Sequence, residues 1–557
     1  MPHTSPRYAP APRGQAGERH PVVVVGGGLV GLTLALDLAQ RGLPVVVLDD
    51  DDTVSTGSRA ICFAKRTLEI FGRLGLGERM LAKGITWNVG RVFHGDRQLF
   101  GFDLLPEDGH EYPAFINLQQ YYAEEWLVEA CRATGLVDLR WRHKVAAVQS
   151  RGDGVTLAVE TPDGSYGMHA DWLAAADGAR SFVRTAMGLP FAGKTFRDRF
   201  LIADVTMQAP FPTERWFWFD PPFHRNQSAL LHKQPDGVWR IDLQLGWDAD
   251  PEFERRPEQV IPRVQAMLGP DVPFELEWVS VYTFRCRRLK RFVHDRVVFV
   301  GDSAHQVSPF GARGGNGGVQ DADNLGWKLA AAVQGRATDA LVRTYDDERI
   351  PAADENILHS TRATDFITPK TDAARAYRDA ALALAGQHAF ARPLVNSGRL
   401  SRPARLLDSP LNAAGDLWPG CLPPGTPAVD APVLDTSVLD ASVPRDGQPG
   451  WLLRHLRDPG FTLLVFGAET PALPGVATVR IAPDALHDVR GLAAARYGAP
   501  PGACVLLRPD QHVAAGFRAF DAGRILDAVR HAMAHQAGAQ QAGAQQAAQP
   551  AALQAVA

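Results

Sequence analysis

The most regular pattern of apolar positions lies near the start of the chain. Val22–Val25 is a run of four valines, which is typical of a strand buried on both faces of a parallel sheet. Apolar residues then recur at helical spacing as far as Gly42, a residue type that commonly ends a helix. A second apolar run, Val45–Leu48, ends at Asp49. The pattern predicts a β-strand, an α-helix and a second β-strand parallel to the first.

Gly26, Gly28 and Gly31 form a GxGxxG pattern between the first strand and the helix. In such a unit the glycines allow a tight turn, a close backbone approach to a pyrophosphate, and close packing of helix on strand. The helix N-terminus adds free N–H groups and partial positive charge. Asp49, 18 positions beyond Gly31, is placed to accept hydrogen bonds from an adenosine ribose. The acids Asp50–Asp52 disfavour a 2′-phosphate, so the unit predicts FAD or NAD rather than NADP.

Two later apolar strands also end at an aspartate beside a glycine. Trp172–Ala176 leads into Asp177, and Val297–Val300 leads into Asp302. Such pairs are common in turns, so either junction alone is equally consistent with an ordinary turn. The second is followed by a glycine-rich segment, predicted to be a loop whose backbone N–H groups can touch a flat ligand. A helix is predicted to start near Gly317, with its N-terminus favouring negative charge on that ligand.

The segment between these two junctions has the pattern of an antiparallel sheet. Val238–Leu245 alternates, which places Arg240 and Gln244 on one face and apolar residues on the other. Trp278–Phe284 has the composition of another strand. One face of such a sheet is free to cover a ligand, and the alternative is a solvated outer face. The polar residues expected to line a substrate pocket are His232, Arg240, Gln244 and Tyr282.

Composition restricts the class of protein. A chain of 557 residues is long enough for roughly two to four domains. The 58 basic and 62 acidic side chains give a net charge of −4, which argues against a nucleic-acid partner. The 5 cysteines form no CxxC pair and no metal-ligand cluster, so we expect no metal, no disulfide scaffold and a cytoplasmic location. Pro21–Ala39 is apolar but contains four glycines and Asp37, so membrane insertion is not expected.

Together, the GxGxxG unit, the Asp177 junction and the Asp302 junction resemble the group A flavoprotein aromatic hydroxylases. These are single-component FAD monooxygenases built like para-hydroxybenzoate hydroxylase. The resemblance spans roughly residues 21–351. It implies that Asp302 binds the ribityl chain of FAD, and that Asp177 and Arg184 belong to a motif associated with the FAD pyrophosphate and NAD(P)H. No second GxGxxG follows a strand, so NAD(P)H is expected to dock transiently on the flavin domain.

The resemblance also assigns residues outside these junctions. Arg59 lies near the family's early arginine, and Gln120 begins a Gln-x-x-x-Glu-x-x-Leu helix. Pro309 matches a proline beside the isoalloxazine ring. The sequence departs from the family at Ser308, where a second proline is common, and at Arg313, where glutamine is more usual. The residues implied to contact FAD are Gly26, Gly28, Gly31, Asp49, Arg59, Gln120, Asp177, Asp302, Gly311, Gly314 and Asn316.

The chemistry implied is reduction of FAD by NAD(P)H, addition of O₂, and attack of a C4a-hydroperoxyflavin on an electron-rich small aromatic substrate. A phenol has a pKa near ~10, so the pocket must help to remove its proton. Pro309 and Arg313 are expected to shape the flavin face. His305 is either a proton relay or a residue hydrogen-bonded within its own turn. The alternatives are a flavin oxidase or dehydrogenase acting on an aromatic or polyketide-like compound without oxygen insertion, and a non-catalytic FAD-dependent binding protein.

The predicted fold class is α/β, with a Rossmann-type FAD-binding domain, an interleaved, mainly antiparallel β substrate domain, and a C-terminal α/β domain. Arg508-Pro509-Asp510 resembles the thioredoxin-like domain of the phenol hydroxylase branch. Cys421 and Cys504 are 83 positions apart and form no dithiol motif, so packing or homodimer formation is its expected role. The predicted segments are a disordered leader (1–20), the FAD-binding domain (21–370) with the substrate domain inserted at about 85–118 and 190–285, a helical linker (371–415), the thioredoxin-like domain (416–534) and a disordered low-complexity tail (535–557).

Overall fold

The computed structural model describes residues 5–57, 59–209, 211–395, 400–416, 418–436, 450–467 and 469–534. These residues divide into two compact units. Unit 1 comprises the described residues of Met1–Asp108, Tyr112–Asp323 and Ala353–Pro403. Unit 2 comprises those of Gly109–Glu111, Asn324–Ala352 and Ala404–Ala557. The predicted tail at 535–557 lies outside the described residues.

Unit 1 carries most of the secondary structure. Its strands are β1 (Glu18–Val25), β2 (Val45–Asp49), β3 (Cys62–Ala64), β4 (Ile85–Trp87), β5 (Val89–His94), β6 (Arg97–Asp103), β7 (Phe115–Asn117), β8 (Val137–Trp141), β9 (Lys144–Arg151), β10 (Gly154–Thr161), β11 (Gly164–Ala175), β12 (Phe191–Met207), β13 (Arg215–Phe219), β14 (Ser228–Lys233), β15 (Val238–Leu245), β16 (Phe274–Leu289), β17 (Val293–His294), β18 (Val297–Phe299) and β19 (His305–Gln306). Its helices up to the second junction are α1 (Leu29–Gln40), α2 (Lys65–Arg73), α3 (Gly77–Lys83), α4 (Gln120–Ala133), α5 (Phe182–Ala186), α6 (Pro251–Glu254) and α7 (Pro257–Leu268).

Two long helices contribute residues to both units, and unit 2 adds a sheet of its own. The two helices are α8 (Gly314–Val333) and α9 (Asp339–Ile367), and they are followed in unit 1 by α10 (Asp372–Gln387). The remaining elements, all in unit 2, are β20 (Pro432–Asp435), β21 (Gly450–Trp451), β22 (Phe461–Phe466), β23 (Val476–Ile481), β24 (Leu486–His487), α11 (Leu492–Tyr497), β25 (Cys504–Leu507), β26 (Val513–Phe517) and α12 (Ala522–Ala532).

The predicted β1–α1–β2 unit is confirmed, and it lies at the centre of an eight-stranded sheet. The strand order is β17-β18-β11-β1-β2-β8, with β10 paired to β11 and β9 paired to β10. Strands β18, β11, β1, β2 and β8 run parallel, and the valines of β1 are buried on both faces. Because parallel strands present their carboxyl ends at one edge, the turns that follow β1, β11 and β18 come together there.

The expected end of the leader at residue 20 is wrong, because residues 18–20 already belong to a strand. Strand β1 begins at Glu18 and pairs with β11 from that residue onward. Earlier in the chain, Tyr8 stacks on Trp141 with ring centroids 4.7 Å apart, and its backbone N–H donates to the Asp52 carbonyl at 2.6 Å. This aromatic stack and this backbone hydrogen bond help to anchor a segment whose composition alone favours disorder.

The predicted antiparallel sheet is also confirmed as a second eight-stranded sheet. Its order is β19-β16-β12-β15-β14-β13-β5-β6, and every pairing is antiparallel except that of β13 with β5. The early insert is divided, because β5 and β6 join this sheet whereas β4 and β7 form a three-stranded sheet with β3. One face carries Trp218, Ile241 and Leu243 and packs on helix α7 through Val260 and Val264. The opposite face is the one that alternation predicted to be polar.

Unit 2 is an α/β unit around a seven-stranded mixed sheet of order β21-β20-β24-β23-β22-β25-β26. Its apolar residues form two clusters: Leu463 and Val465 of β22 belong to one, and Leu464 and Phe466 to the other. The predicted organisation of this part of the chain differs from the structure in two respects. Unit 2 takes residues 324–352 from within the segment assigned to the FAD-binding domain, and the described residues of 400–415 contain no helix.

Candidate active site

The turn after β1 requires glycine at two of its three positions. Gly26 has φ +109°, and a Cβ there would lie 2.4 Å from the Ala176 carbonyl oxygen. A Cβ on Gly31 would lie 2.0 Å from the Gly26 carbonyl oxygen, so this glycine lets α1 pack against the turn. Gly28 differs, because its added Cβ would meet only Glu124 Oε1 at 3.6 Å. The first and third glycines therefore allow the close packing, and the second leaves room for a ligand against the backbone.

Asp49 lies beside this turn, as predicted. Its Oδ2 accepts a hydrogen bond from the Gly27 N–H at 2.5 Å, and its Oδ1 accepts one from the Asp51 N–H at 2.9 Å. Burial raises the pKa of the Asp49 carboxyl to about 6. The side chain is therefore held at the end of β2 next to the N-terminus of α1, where a ribose bound to the glycine turn would meet it.

Glu124 holds the elements around this turn together, a role that the sequence did not assign to it. It is buried on α4, and its Oε1 accepts hydrogen bonds from the Leu29 N–H at 2.9 Å and from Gln120 Nε2 at 2.7 Å. Its Oε2 accepts from the backbone N–H of Ser55 at 2.8 Å. One carboxylate thus connects the first turn of α1, the loop after β2 and Gln120. The signal was the glutamate of the Gln-x-x-x-Glu-x-x-Leu pattern.

Two other predicted contacts involve the loop after β2: Arg59 lies in this loop, and Gln120, at the start of α4, bonds to it. Gln120 Oε1 accepts a hydrogen bond from the Ala60 N–H at 3.2 Å, so Gln120 holds the loop as well as bonding Glu124. Arg59 is exposed at φ +40°, and its carbonyl oxygen accepts from Arg240 Nη1 at 2.8 Å. This last bond ties the loop to the second sheet.

The junctions after β11 and β18 are joined by Arg184. Its guanidinium donates to the Ser303 carbonyl oxygen at 2.9 Å and to the Ala179 carbonyl oxygen at 3.1 Å. Asp177 Oδ2 accepts from the Val183 N–H at 3.0 Å, whereas its buried Oδ1 has no hydrogen-bond partner among the described residues. Burial raises the pKa values of Asp177 and Asp302. Two half-buried carboxyls, one of them with an unpartnered oxygen, are consistent with a ligand rich in hydroxyl groups, such as the ribityl chain of FAD.

His305 is held within its own neighbourhood. Its Nε2 lies 2.6 Å from Asp321 Oδ2, and its ring stacks on Phe292 with centroids 5.6 Å apart. Asp321 Oδ2 also accepts from the Gly301 N–H at 3.1 Å. The pairing supports the alternative in which His305 stabilises the turn that carries Asp302. Asp321 was missed, because no signal in the sequence distinguishes it from Asp323 two positions later.

The glycine-rich segment departs from the predicted loop. Helix α8 begins at Gly314 rather than near Gly317, so the residues before Gly317 are already helical. The turn ahead of it contains Gly311 at φ +97° and Ala312 at φ +53°. Asn316 caps this region, since its Nδ2 donates to the Cys62 and Ala312 carbonyl oxygens and its Oδ1 accepts from the Ala64 N–H at 2.8 Å.

Pro309 and Arg313 lie on either side of that turn. Pro309 is exposed, and Phe310 after it packs against Phe200 and Phe284 of the second sheet. Arg313 is buried, and its Nη1 donates to the Leu400 carbonyl oxygen at 3.4 Å. An arginine at this position therefore holds the backbone at residue 400, a function that glutamine could not perform in the same way.

The four predicted substrate-pocket residues lie on one face of the second sheet. In the strand register His232 is paired with Arg240, and Gln244 and Tyr282 both flank Phe200. Arg240 is ion-paired with Asp204 at 3.1 Å, and Gln244 Oε1 accepts from the Ser228 N–H at 3.0 Å, so both already have partners. Tyr282 is 44% exposed, and burial of its hydroxyl among protein atoms raises its pKa to about 12.

Two cavities in unit 1 share Phe102 as a lining residue, and the narrower one adjoins the Gly311–Arg313 turn. The inner pocket is narrow, about 40 Å³, and combines aromatic residues with three arginines; it is lined by Phe102, Phe217, Phe219, Phe310, Arg91, Arg215 and Arg313, among others. The outer groove, about 1050 Å³, is lined by residues of β6, α9 and α10. Phe366 and Leu394 also line the groove, and the residues that follow them in the chain, Ile367 and Val395, line the pocket.

Other kinds of site receive little support from the described residues. Among them, only Asp49, Asp50 and Asp51 bring three potential metal ligands within 4.8 Å, and two of these carboxylates are exposed in a turn. Within the same residues, every helix is too short or too polar to traverse a lipid bilayer. The arrangement at the junctions instead provides what a flavin dinucleotide needs: a glycine turn at a helix N-terminus, an acid for the ribose, and half-buried carboxyls for the ribityl chain.

Comparison with known proteins agrees with this geometry. The model of the family described as FAD binding domain matches residues 19–360. A flavin-dependent monooxygenase of Mycobacteroides abscessus is 29% identical over 521 residues, which are 88% of this chain and 96% of that protein. A 6-methylpretetramide 4-monooxygenase of Streptomyces rimosus is 33% identical over 525 residues, 89% of this chain and 90% of that protein.

Solved structures show the same fold. The flavin-dependent monooxygenase PieE, in complex with FAD and substrate, superimposes with a TM-score of 0.78 at 23% identity and covers 94% of this chain and 100% of its own. A ternary complex of aklavinone-11 hydroxylase with FAD and aklavinone gives a TM-score of 0.73 at 23% identity, covering 93% and 100%. The family match over more than half of the chain shows that the protein belongs to the group A flavin-dependent aromatic hydroxylases, as an FAD-dependent monooxygenase.

Proposed function

We propose that the protein hydroxylates a phenolic substrate of several fused rings, with NAD(P)H and O₂ as co-substrates. The observation that carries the proposal is the pair of cavities. The inner pocket is narrow, rich in phenylalanine and adjacent to the Gly311–Arg313 turn, which suits one flat ring. It shares the lining residue Phe102 with an outer groove of about 1050 Å³, a volume far larger than a single-ring phenol needs.

The relatives support a multi-ring substrate over a single ring. The Streptomyces rimosus relative, whose name gives 6-methylpretetramide as its substrate, aligns along 89% of this chain. A 3-(3-hydroxy-phenyl)propionate/3-hydroxycinnamic acid hydroxylase of Mycolicibacterium smegmatis, 30% identical, aligns along only 64% of this chain and 63% of its own length. A para-nitrophenol 4-monooxygenase aligns along 65% of this chain. Of the two relatives that align along nearly the whole chain, one is named for 6-methylpretetramide and the other only as a flavin-dependent monooxygenase.

The residues of the chain position the substrate and keep water away. FAD, when bound by the junction residues, supplies the oxidation–reduction chemistry that activates O₂. Phe217, Phe219 and Phe310 provide flat apolar contacts for the reacting ring, and their burial excludes water that would compete for the activated oxygen. Holding the ring in one orientation can contribute up to roughly 7–11 kcal/mol, because a bimolecular step becomes effectively intramolecular.

The experiment compares phenols of one, two and four fused rings under ¹⁸O₂. We expect substrate-dependent NAD(P)H oxidation, one ¹⁸O atom in the product and the highest kcat/KM for the larger phenols. Hydrogen peroxide alone across the whole panel would instead favour a flavin oxidase. Flavin that NAD(P)H cannot bleach would favour a binding protein. A Phe102→Trp variant, which places a larger side chain where the two cavities share a lining residue, should raise KM for four rings more than for one.

We also propose that unit 2 contains a thioredoxin-like domain. The support is its central β22, which pairs with parallel β23 on one side and with the antiparallel β25–β26 hairpin on the other, followed by the C-terminal helix α12. An experimental structure with a different strand order would contradict this proposal. The cytoplasmic location and the homodimer remain predictions, which fractionation and light scattering can check.

A further inference from the structure

Three polar side chains of the second sheet occupy adjacent positions on neighbouring strands. Arg215 is on β13, His232 on β14 and Asp242 on β15. Because Trp216 pairs with Leu231 and Leu230 pairs with Asp242, the three side chains point from the same face as Phe217. His232 lies between the other two, and its Nε2 is 3.9 Å from Asp242 Oδ2. Arg215 itself lines the inner pocket.

Each of these side chains has a buried atom without a hydrogen-bond partner among the described residues. The atoms are Arg215 Nη1, His232 Nδ1 and Asp242 Oδ1. The neighbouring Arg240 is different, since it donates to Asp204 and to the Arg59 carbonyl oxygen. Buried polar atoms are nearly always paired, so three unpaired ones on neighbouring strands, one of them on a side chain that lines the inner pocket, indicate a ligand with a polar oxygen.

The charges of the group fit an acidic hydroxyl. Burial, together with the nearby guanidinium groups of Arg215 and Arg240, holds the pKa of His232 well below its usual range, so the imidazole is neutral. Burial raises the pKa of Asp242 to about 6. A neutral imidazole can accept a proton on one nitrogen while releasing one from the other, and a carboxylate of raised pKa can take up the released proton.

We propose that Arg215, His232 and Asp242 form the site that binds and deprotonates the phenolic hydroxyl of the substrate. The inference rests on the proposed function and names the group that the substrate must carry next to the pocket. The substrate O–H bond breaks and a bond forms between its proton and His232 Nδ1, while the proton on His232 Nε2 passes to Asp242 once Asp242 Oδ2 moves from 3.9 Å into hydrogen-bond distance. The electron pair stays on the substrate oxygen, opposite the Arg215 guanidinium, and the net charge of the site is unchanged.

This proton transfer serves the hydroxylation directly. A phenolate ring is far richer in electrons than a neutral phenol, so it reacts faster with an electrophilic oxygen. Arg215 makes the transfer favourable, because a buried cation lowers the pKa of a hydroxyl placed against it. The site thus takes phenols or enols of fused-ring compounds and discriminates against their methyl ethers, which have no proton to give.

The test uses the purified holoenzyme without NAD(P)H, with 2-naphthol and its methyl ether as probes. We expect wild-type enzyme to bind 2-naphthol as its anion at pH 7, seen as the naphtholate band in the difference spectrum. Asp242→Asn should bind it as the neutral form. Arg215→Met should weaken 2-naphthol binding at least tenfold and leave binding of the ether unchanged. Asp248→Asn and Arg197→Met, at exposed positions, are matched controls.

The outcomes separate the two proposals. A naphtholate band of equal size in wild-type, Asp242→Asn and Arg215→Met enzymes overturns the inference, as does equal wild-type affinity for 2-naphthol and its ether, or no binding of either. Visible flavin absorbance checks that each variant is folded, and Asp242→Glu, which keeps a carboxylate, should restore the band. Failure of the hydroxylation itself would appear only in the ¹⁸O₂ experiment, because the binding experiment requires no turnover.

Discussion

At the scale of single residues, Gly31 sets how closely helix α1 approaches the turn after β1. A methyl group there would lie 2.0 Å from the Gly26 carbonyl oxygen, so Gly31→Ala must displace the helix. Overpacking of this kind costs about 1–3 kcal/mol, and the displaced N–H groups would no longer face a pyrophosphate. We expect purified Gly31→Ala to carry much less FAD, measured by visible flavin absorbance per protein, and to unfold at a lower temperature.

Gly152→Ala is the matched control for this change. A Cβ at Gly152 would meet no heavy atom within 4 Å. A Gly31→Ala protein with the flavin content of the Gly152→Ala protein would contradict the geometry of the turn.

Asp49 makes the stability of the flavin-free protein depend on pH. Burial raises its pKa from 3.8 to about 6, so between these values the folded protein binds the proton more tightly than the unfolded chain. The stabilisation by this proton is fully present below the lower value and is lost as the pH rises through about 6. We expect the free energy of unfolding in urea to fall over this window, and to fall less steeply in Asp49→Asn.

Asp50→Asn serves as the control, because that side chain is exposed. Parallel pH profiles for wild-type and Asp49→Asn proteins would show that Asp49 does not titrate in this range.

At the scale of elements, Glu124 of α4 holds the first turn of α1 and the loop after β2 together. Glu124→Gln would replace one acceptor oxygen by an NH₂ group, which then faces either the Leu29 N–H or the Ser55 N–H, both of them donors. The loss of a charge-assisted hydrogen bond at a buried position should weaken FAD binding at least tenfold, measured by titrating the apoprotein with FAD.

Glu129→Gln is the control on the same helix, since Glu129 is an exposed residue paired with Arg79. An unchanged Kd for FAD in Glu124→Gln would mean that α1 and the loop keep their positions without this carboxylate.

The elements around the glycine turn could be predicted because their signals are local. A run of valines, a glycine pattern and helical spacing occur within one short segment, and alternation correctly assigned the faces of β15. The start of α8 could not be predicted in this way, because glycine is a poor helix former. At least one of these glycines has a tertiary role, since a Cβ at Gly318 would lie 2.5 Å from Val30 Cγ2 and one of the two would have to move.

Side-chain groups that span several strands were also beyond prediction. The alternation of β15 placed Asp242 on the polar face, but its proximity to His232 depends on how β14 and β15 are paired. A shift of one residue in that register would place them on opposite faces, and the sequence of one chain does not reveal register. The same limit applies to Arg215, because its proximity to His232 depends on how β13 and β14 are paired.

At the scale of the whole molecule, unit 2 contains a fully buried ionic network. Arg508 Nη1 lies 2.5 Å from Glu348 Oε1, and Arg508 Nη2 lies 2.5 Å from Asp510 Oδ2; Lys328 Nζ also reaches Glu348 at 2.5 Å. Removing one partner of a buried ion pair costs about 3–5 kcal/mol, because the remaining charge is uncompensated. We expect Arg508→Met to lower the free energy of unfolding by this amount, measured in urea.

Arg524→Met is the matched control, because Arg524 pairs with Asp416 at the surface, where ion pairs contribute little. Equal stability of the two variants would show that the buried network is dispensable.

Helix α8 begins among the residues of unit 1, yet its second half contributes Trp327 and Ala331 to a core cluster of unit 2 together with Phe461. A chimaera could take the residues up to Pro403 from one enzyme and the rest from a related enzyme. In its unit 2, Trp327 of the first parent would then pack against strand residues such as Phe461 of the second parent. Recombination that preserves both cores must transfer residues 324–352 along with the C-terminal segment. An exchange between related enzymes therefore preserves the core of unit 2 only if residues 324–352 and the C-terminal segment are exchanged together, or if the whole chain is replaced.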